Sequence, residues 1–96
     1  MGRRMKIKWL QTALDNIAHI ADRIAENDPG AARRMVSKIR LSINNLTKQP
    51  AMGRLGRVND TRELVIVGTP YIVIYRSQDG SIEILRVLHS SQRWPD

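Results

Sequence analysis

The hydrophobic period of the chain changes near residue 11. Residues 5–10 (MKIKWL) alternate apolar and basic side chains, which predicts a short strand with one buried face. The basic outer face suits the edge of a sheet, because charge there discourages pairing with other chains. Residues 11–27 place apolar side chains every three or four positions, which predicts an amphipathic helix.

A second helix is predicted directly after a break at residues 27–30 (NDPG). Asp28 can cap its start, with Pro29 at the first helical position. Apolar residues then recur at helical spacing until Leu46, and Gln49-Pro50 ends the pattern. Because the gap between the two helices is short, we expect an antiparallel helical hairpin.

The second half of the chain is predicted to form strands. An aperiodic loop at residues 51–61 precedes apolar stretches at 62–67, 71–76 and 81–89. Asp79-Gly80 predicts a tight turn between the last two strands. The order strand, helix, helix, strand, strand, strand indicates an α+β fold, β-α-α-β-β-β, with the helical hairpin on one face of a small antiparallel sheet.

The last strands are apolar at alternate positions on both faces. Tyr71, Val73 and Tyr75 alternate with Ile72, Ile74 and Arg76, and in the final strand Ile82, Ile84, Arg86 and Leu88 alternate with Glu83, Leu85, Val87 and His89. Helices can cover only one face, so the other is expected to be partly open or covered by another molecule. The tail, residues 90–96, is expected to fold back at Trp94-Pro95.

Length and composition narrow the class of protein. A chain of 96 residues has room for one domain, residues 1–96, of which residues 1–4 are expected to be flexible. The absence of cysteine excludes disulfides and thiol chemistry and fits a reducing cytoplasm. No apolar run approaches the ~20 residues that span a bilayer, and no signal-peptide core follows the basic start. We therefore expect a cytoplasmic protein that does not contact a membrane.

No metal or cofactor is expected. His19 lies beside the apolar stripe of the first helix, and no second histidine, cysteine or acid stands at metal-ligand spacing from it. A lone histidine in this position is typical of a boundary residue between the core and the solvent.

The positive charge of the chain is unevenly distributed. The formal net charge is +7, from 16 basic and 9 acidic residues. Residues 29–50 carry basic residues and no acid; these are Arg33, Arg34, Lys38, Arg40 and Lys48. Such a stripe either steers the protein toward an acidic partner, nucleic acid or protein, or is a solvated helix face that keeps the protein soluble.

Three segments together resemble a known family. They read DPGAARRMVSKIRLSINNLTKQPAMGRLGR, TRELVIVGTPYIVIYR and IEILRVLHSSQRWP, and in this order they resemble the RelE/ParE toxins of type II toxin–antitoxin systems. The resemblance extends from about residue 6 to residue 95. It implies a compact α+β fold, growth arrest by the free toxin and a cognate antitoxin encoded nearby.

The resemblance also implies how the antitoxin binds. Its C-terminal segment, usually acidic, wraps the toxin, and a toxin–antitoxin hetero-oligomer is expected. The basic side chains of the second helix, Arg33, Arg34, Lys38 and Arg40, are the predicted antitoxin contacts because their charge complements such a segment.

The family divides by target, and the sequence favours one branch. The RelE-like branch cleaves mRNA on the ribosome, and usually has an arginine where this chain has Ile72. The ParE-like branch poisons DNA gyrase without nuclease chemistry of its own. We therefore favour gyrase as the target, with no catalysis by the chain. The predicted target contacts are Arg54, Arg57, Arg62, Arg76, Arg86, His89 and Arg93.

The alternative is a ribosome-dependent mRNA endoribonuclease. RNA cleavage needs a base, an acid and cations on the phosphate, and His89, Arg86 and Arg62 would supply them. His89 has a structural interpretation as well, as a strand-end residue bonded to the loop that follows it. Arg76 and Arg86 either pair with Asp79 or Glu83, or join Arg62 on an open sheet face. An inactive relative kept as a binding module is a third interpretation.

Overall fold

The computed structural model describes residues 5–95, so the flexibility expected of residues 1–4 lies outside the described part of the chain. Two helices, α1 (Gln11–Ala25) and α2 (Pro29–Asn45), follow strand β1 (Lys6–Trp9). Four further strands complete the fold: β2 (Arg54–Leu55), β3 (Arg62–Val65), β4 (Tyr71–Gln78) and β5 (Ser81–His89). The predicted order is confirmed, with β2 as an additional short strand inside the predicted loop.

The start of α2 forms as its sequence predicts. The Asp28 carboxylate accepts a hydrogen bond of 3.1 Å from the amide of Ala31, and Pro29 occupies the first turn, where its missing N–H is not needed. The two helices pack against each other and cover one face of the sheet.

The sheet has the strand order β1-β5-β4-β3-β2 and is mixed, which corrects the expectation of an antiparallel sheet. β1 is an edge strand, as predicted, but it runs parallel to β5, with Lys6 opposite Ser81. The direction of β1 relative to β5 depends on the whole helical hairpin that connects it to the later strands. Its local pattern of apolar and basic residues therefore could not reveal it.

The β4–β5 hairpin contains the predicted turn and an unpredicted irregularity. Asp79 and Gly80 both have positive φ, 51° and 76°, as a two-residue hairpin turn requires. Further along, Tyr75 lies opposite Ile84 whereas Ile74 lies opposite Arg86, so Leu85 is the extra residue of a β-bulge.

The bulge corrects the strict alternation predicted for the last strand. Up to the bulge, Ile82 and Ile84 face the helices, and beyond it Val87 does so. Arg86 and Leu88 consequently lie on the opposite face, which the helices leave uncovered. We call this uncovered side of the sheet the open face.

Each face of the sheet carries an apolar cluster. The main core lies between the sheet and the helices and consists of fully or nearly fully buried side chains: Ala13, Ile39, Ile43, Leu46, Leu64, Ile66, Val73, Tyr75, Ile82, Ile84 and Val87. A smaller cluster lies on the open face, where Ile74, Leu85 and Leu88 are covered in part by Trp94. The tail therefore folds back, as predicted.

Helix α1 replaces a missing strand at the edge of β5. β1 accompanies β5 only as far as Ile84, after which the chain turns into α1. The hydroxyl of Thr12 donates to the carbonyl of Leu85 at 2.9 Å, and the side-chain oxygen of Asn16 accepts from the amide of Val87 at 3.1 Å. Two polar side chains one helical turn apart thus satisfy backbone groups that a strand would otherwise pair.

Tyr75 fixes the segment that leads into β2. Its hydroxyl donates to the carbonyl of Pro50 at 2.7 Å and accepts from the amide of Gly53 at 2.9 Å. A Cβ at position 53 would lie 2.8 Å from the Tyr75 ring, so only glycine allows this approach. Within residues 5–95, no helix is both long and apolar enough to cross a membrane.

Candidate target-binding surface

A row of four side chains crosses the open face from strand to strand. Strand register places Arg54 opposite Glu63, Glu63 opposite Ile74, and Ile74 opposite Arg86. Neighbours in such a row stand on the same face, about 4.5–5.5 Å apart at Cβ. The predicted target contacts Arg54 and Arg86 thus lie on one surface, at the two ends of the row.

Glu63 is a buried acid within this row. Its side chain is only 8% exposed, and one carboxylate oxygen accepts hydrogen bonds from Nε and Nη2 of Arg54, at 3.3 and 3.1 Å. The Arg54 side chain is 62% exposed. The pair therefore neutralises a buried carboxylate while the guanidinium stays accessible, and loss of the arginine would leave that charge without its partner.

Trp94 lies over the same part of the sheet. Its ring packs on the apolar cluster of the open face, and the Arg86 guanidinium carbon lies 5.5 Å from the ring centroid, a cation–π contact. A small pocket of about 80 Å³ lies next to it. Arg54, Arg57 and Glu63 contribute to its lining. Three predicted target cations are thus grouped around one indole.

Arg76 also lies on the open face, further toward the hairpin turn. It lies opposite Glu83 and forms an ion pair with that carboxylate. One of the two pairings expected for Arg76 is therefore present. Lys8 of β1 is opposite Glu83 on its other side and extends the cationic surface to the sheet edge.

Arg62 does not belong to this surface, which corrects the expectation that it joins Arg76 and Arg86. It lies opposite Tyr75, whose side chain faces the helices. Its guanidinium donates to the carbonyl of Gly53 at 2.8 Å and reaches that of Ala51 at 3.5 Å. Arg62 thus holds the segment that precedes β2.

Burial raises the pKa of the Tyr75 phenol above its usual range. The hydrogen bond from Gly53 and the positive charge of Arg62 act in the opposite direction but do not cancel the effect of burial. Tyr75 therefore remains a neutral structural group at physiological pH.

His89 bonds to the loop that follows it, as its structural interpretation expects. The amide of Ser91 donates to Nδ1 at 3.1 Å, and the Ser91 hydroxyl lies 2.8 Å from the same nitrogen. The imidazole packs edge to face against Tyr71, with the ring centroids 5.8 Å apart.

The three residues that RNA cleavage would require are not brought together. His89 lies opposite Tyr71 and Arg62 opposite Tyr75, so the two are four residues apart along β4. Arg86 lies on the other face of the sheet. The side chains of His89, Arg62 and Arg86 therefore do not surround a common site.

A wider groove separates α1 from the end of the β4–β5 hairpin. Its volume is about 740 Å³, and both histidines of the chain, His19 and His89, contribute to its lining together with Arg23, Asp28 and Tyr71. The side chain of His19 is exposed. Among residues 5–95, no group of three or more histidine, cysteine, aspartate or glutamate side chains could hold a metal ion.

The predicted antitoxin contacts lie on the far side of the molecule from the open face. Arg33, Arg34, Lys38 and Arg40 are all exposed on α2. Arg34 makes a long ion pair of 3.7 Å with Asp28, in which both side chains are largely exposed. Such a pair contributes little to stability, so these cations remain accessible to a partner.

Two residues of the site were not predicted. The sequence predicts only that Glu63 lies in a strand and that Trp94 lies in a tail that folds back. The single useful signal was the alternation of the β3 sequence, which sets Glu63 and Arg62 on opposite faces. Which face was open could be known only from the packing of the helices.

Comparison with known proteins identifies the family. The sequence profile described as "ParE toxin of type II toxin-antitoxin system, parDE" matches residues 7–94. The chain belongs to the ParE toxin family. A relative named "Putative toxin Y4kP", from Sinorhizobium fredii, is 44% identical over 93 residues to this ParE-family chain, covering 96% of it and 95% of the relative.

Further relatives and solved structures agree with this membership. "Toxin RelE2" of Caulobacter vibrioides is 33% identical over 87 residues, covering 91% of this ParE-family chain and 97% of the relative. A structure titled "Chromosomal ParDE TA system from P. aeruginosa" superposes with a TM-score of 0.82 at 25% identity, over 90% of this chain and 96% of that one. The YoeB dimer from Staphylococcus aureus shares the fold, with a TM-score of 0.61 at 16% identity over 88% and 94% of the two chains.

The predicted RelE/ParE-like α+β fold and the family are thereby confirmed. This ParE-family chain is the toxin component of a type II toxin–antitoxin system, and its partner is a cognate antitoxin.

Proposed function

We propose that this ParE-family toxin arrests growth by binding and poisoning DNA gyrase in the cytoplasm, and that it does so through the open face. The separation of His89, Arg86 and Arg62 onto two faces of the sheet is the main observation in favour, because it leaves no assembled group for RNA cleavage. In addition, Ile72 lies half-buried on the open face, at the position where the ribonuclease branch usually has an arginine.

The open face has the composition of a binding surface. Cationic side chains surround Trp94, and an apolar cluster lies beneath it. Aromatic residues and arginine are the residue types most enriched among those that dominate binding energy at interfaces. The charge would mainly accelerate association, whereas the apolar centre would slow dissociation.

Purified toxin should inhibit supercoiling by gyrase and trap gyrase–DNA cleavage complexes, and induced cells should become filamentous with an SOS response. The double variant Arg57→Glu/Arg93→Glu, altered in the loop and the tail beside the open face, should inhibit more weakly. A matched variant on α2, Arg33→Glu/Arg40→Glu, has the same net charge and should inhibit like the wild type.

Normal supercoiling at saturating toxin would disprove gyrase as the target. New cuts inside codons of translated mRNA after induction, detected by primer extension and lost in His89→Ala, would identify a ribosome-dependent endoribonuclease instead. Undisturbed growth with abundant, folded toxin would indicate an inactive binding module.

A further inference from the structure

The C-terminal segment of residues 90–95, which we call the strap, forms one wall of the candidate surface. It leaves β5 after His89, and Trp94 then packs on the open face beneath the Arg86 guanidinium. Ser90, Gln92 and Trp94 line the small pocket together with Arg54 and Arg57 of the β2 region. The shape of the open face therefore depends on where the strap lies.

His89 holds the turn by which the strap begins. Its amide donates to the side-chain oxygen of Gln92 at 2.8 Å, and its carbonyl accepts from the Gln92 amide at 2.9 Å. Its ring nitrogen Nδ1 accepts from the amide of Ser91. A bond of 2.6 Å from the Ser90 amide to the carbonyl of Pro70 joins the same turn to β4.

The hydrogen bond from Ser91 depends on the protonation state of the imidazole. A backbone N–H can only donate, so Nδ1 must present a lone pair and the ring must be neutral, with its proton on Nε2. Protonation of Nδ1 would bring two N–H groups face to face at 3.1 Å. The Ser91 hydroxyl can rotate to accept from the protonated ring, but the amide cannot.

The far end of the strap is held by the apolar and cation–π contacts of Trp94 and by no hydrogen bond of its indole to the described part of the chain. The indole Nε1 of Trp94 is buried without a hydrogen-bond partner among residues 5–95. A buried donor without a partner opposes the packing of its own ring, so the apolar contact of Trp94 is partly offset. The hydrogen bonds of the strap are therefore those of the turn at His89.

We propose that the neutral imidazole of His89 positions the strap, and that protonation of Nδ1 releases residues 90–95 from the open face. Histidine changes charge between about pH 5 and 8, so the surface would have one shape at neutral pH and another in mild acid. His89 is then a positioning residue and not a general base. The effect on toxicity rests on the proposed function of the open face.

Other titratable or charged groups line the same two pockets as His89 and must be controlled. They come from α1, the turn after it, β4 and the β2–β3 region: His19, Arg23, Asp28, Tyr71, Arg54, Arg57 and Glu63. Of these, His19 is the only other imidazole in the chain. Replacing it with glutamine leaves His89 as the single histidine.

Tryptophan fluorescence tests the release directly. The chain has two tryptophans, so Trp9→Phe leaves Trp94 as the sole reporter. We expect the emission of this variant to shift to the red between pH 8 and pH 5, because the indole leaves the apolar cluster, while far-UV circular dichroism stays unchanged. His19→Gln in the same background should give the same shift.

Two replacements of His89 separate positioning from other roles. In His89→Asn an uncharged amide oxygen takes the place of Nδ1, so the strap should stay closed, with blue-shifted emission at every pH. In His89→Gln the amide reaches the position of Nε2 instead, so the strap should be open, with red-shifted emission at every pH. Gyrase inhibition should follow the emission and be weaker in His89→Gln than in His89→Asn.

An asparagine variant that shifts with pH as the parent does would overturn the inference, and so would emission that stays constant while His89 titrates by NMR. These fluorescence results do not depend on the target. If they are as expected but neither variant nor wild type affects gyrase, the proposed function fails and the positioning role of His89 stands.

Discussion

Tyr75 shows how one side chain can organise a loop that has no secondary structure of its own. Its hydroxyl bonds to Pro50 and Gly53 from within the main core, where the residue is fully buried. Strand alternation predicted that Tyr75 shares a face with Val73. The two bonds to a segment more than twenty residues away could not be predicted, because they depend on where that segment crosses the helix-covered face.

Replacing Tyr75 with phenylalanine should destabilise the fold by about 1–3 kcal/mol, because the Pro50 carbonyl and the Gly53 amide lose their partner. Thermal unfolding should show a fall of roughly 4–8 °C per kcal/mol for a domain of this size. Tyr71→Phe is the matched control: no hydrogen bond of its hydroxyl is found within residues 5–95, and its melting temperature should hardly change. Equal losses in both variants would contradict this role for Tyr75.

Tyr75 also makes the stability of the fold depend on pH in the alkaline range. Because burial raises the pKa of Tyr75 in the folded state, the folded state favours the neutral phenol. The contribution of the neutral phenol to the free energy of unfolding is fully present below about pH 10, the usual pKa of tyrosine. It is lost as the pH rises through the pKa of Tyr75 in the folded state. Above about pH 10, the free energy of unfolding of the wild type should therefore fall more steeply with pH than that of Tyr75→Phe, as denaturant unfolding would show.

At the scale of elements, the sequence predicted the features that form within one segment of the chain. It did not predict those that depend on how the segments pack together. Both helices, the Asp28 cap, the Asp79-Gly80 turn and the edge position of β1 were all predicted, since each depends on neighbours in sequence. The parallel direction of β1, the bulge at Leu85 and the face of Arg62 were not. Each of these is fixed by contacts between elements, which leave no periodic signal.

The α1–β5 contact illustrates the same limit and can be tested. Asn16 looks like an ordinary polar position of α1, yet it accepts from the buried amide of Val87. Asn16→Ala should cost about 1–3 kcal/mol in denaturant unfolding, because that amide is left without a partner. Asp22→Ala, on the exposed side of α1, should stay within about 0.5 kcal/mol of wild type. A similar small effect at Asn16 would show that water replaces the lost bond.

At the scale of the whole molecule, the positive charge occupies two opposite sides. The exposed cations of α2 lie outside the helical layer, and those around Trp94 lie on the open face. The family establishes the antitoxin as partner but not where it binds, and the side on α2 is our prediction. Because long-range attraction mainly raises association rates, the two sides can be distinguished kinetically.

Reversing Arg33, Arg34 and Arg40 to glutamate should slow association with the cognate antitoxin and remove much of its salt dependence, with a smaller change in dissociation. Stopped-flow mixing at low and high salt measures both. The control Lys8→Glu/Arg57→Glu/Arg93→Glu reverses three exposed cations outside α2, so its net charge equals that of the α2 variant. It should associate nearly as fast as wild type. Equal slowing in both variants would show that only the total charge matters.

The position of β5 has a consequence for how the toxin is made. This strand lies between β1 and β4, yet it is the last of the strands to be synthesised, and its pairing with β1 joins Lys6 to Ser81 across most of the chain. A nascent chain still lacking β5 has no partner for β1, and its β4 has only one of its two neighbours. Pairings of such long range also form slowly. The toxin should therefore complete its fold only after β5 has been synthesised, which gives an antitoxin already present in the cell time to meet it.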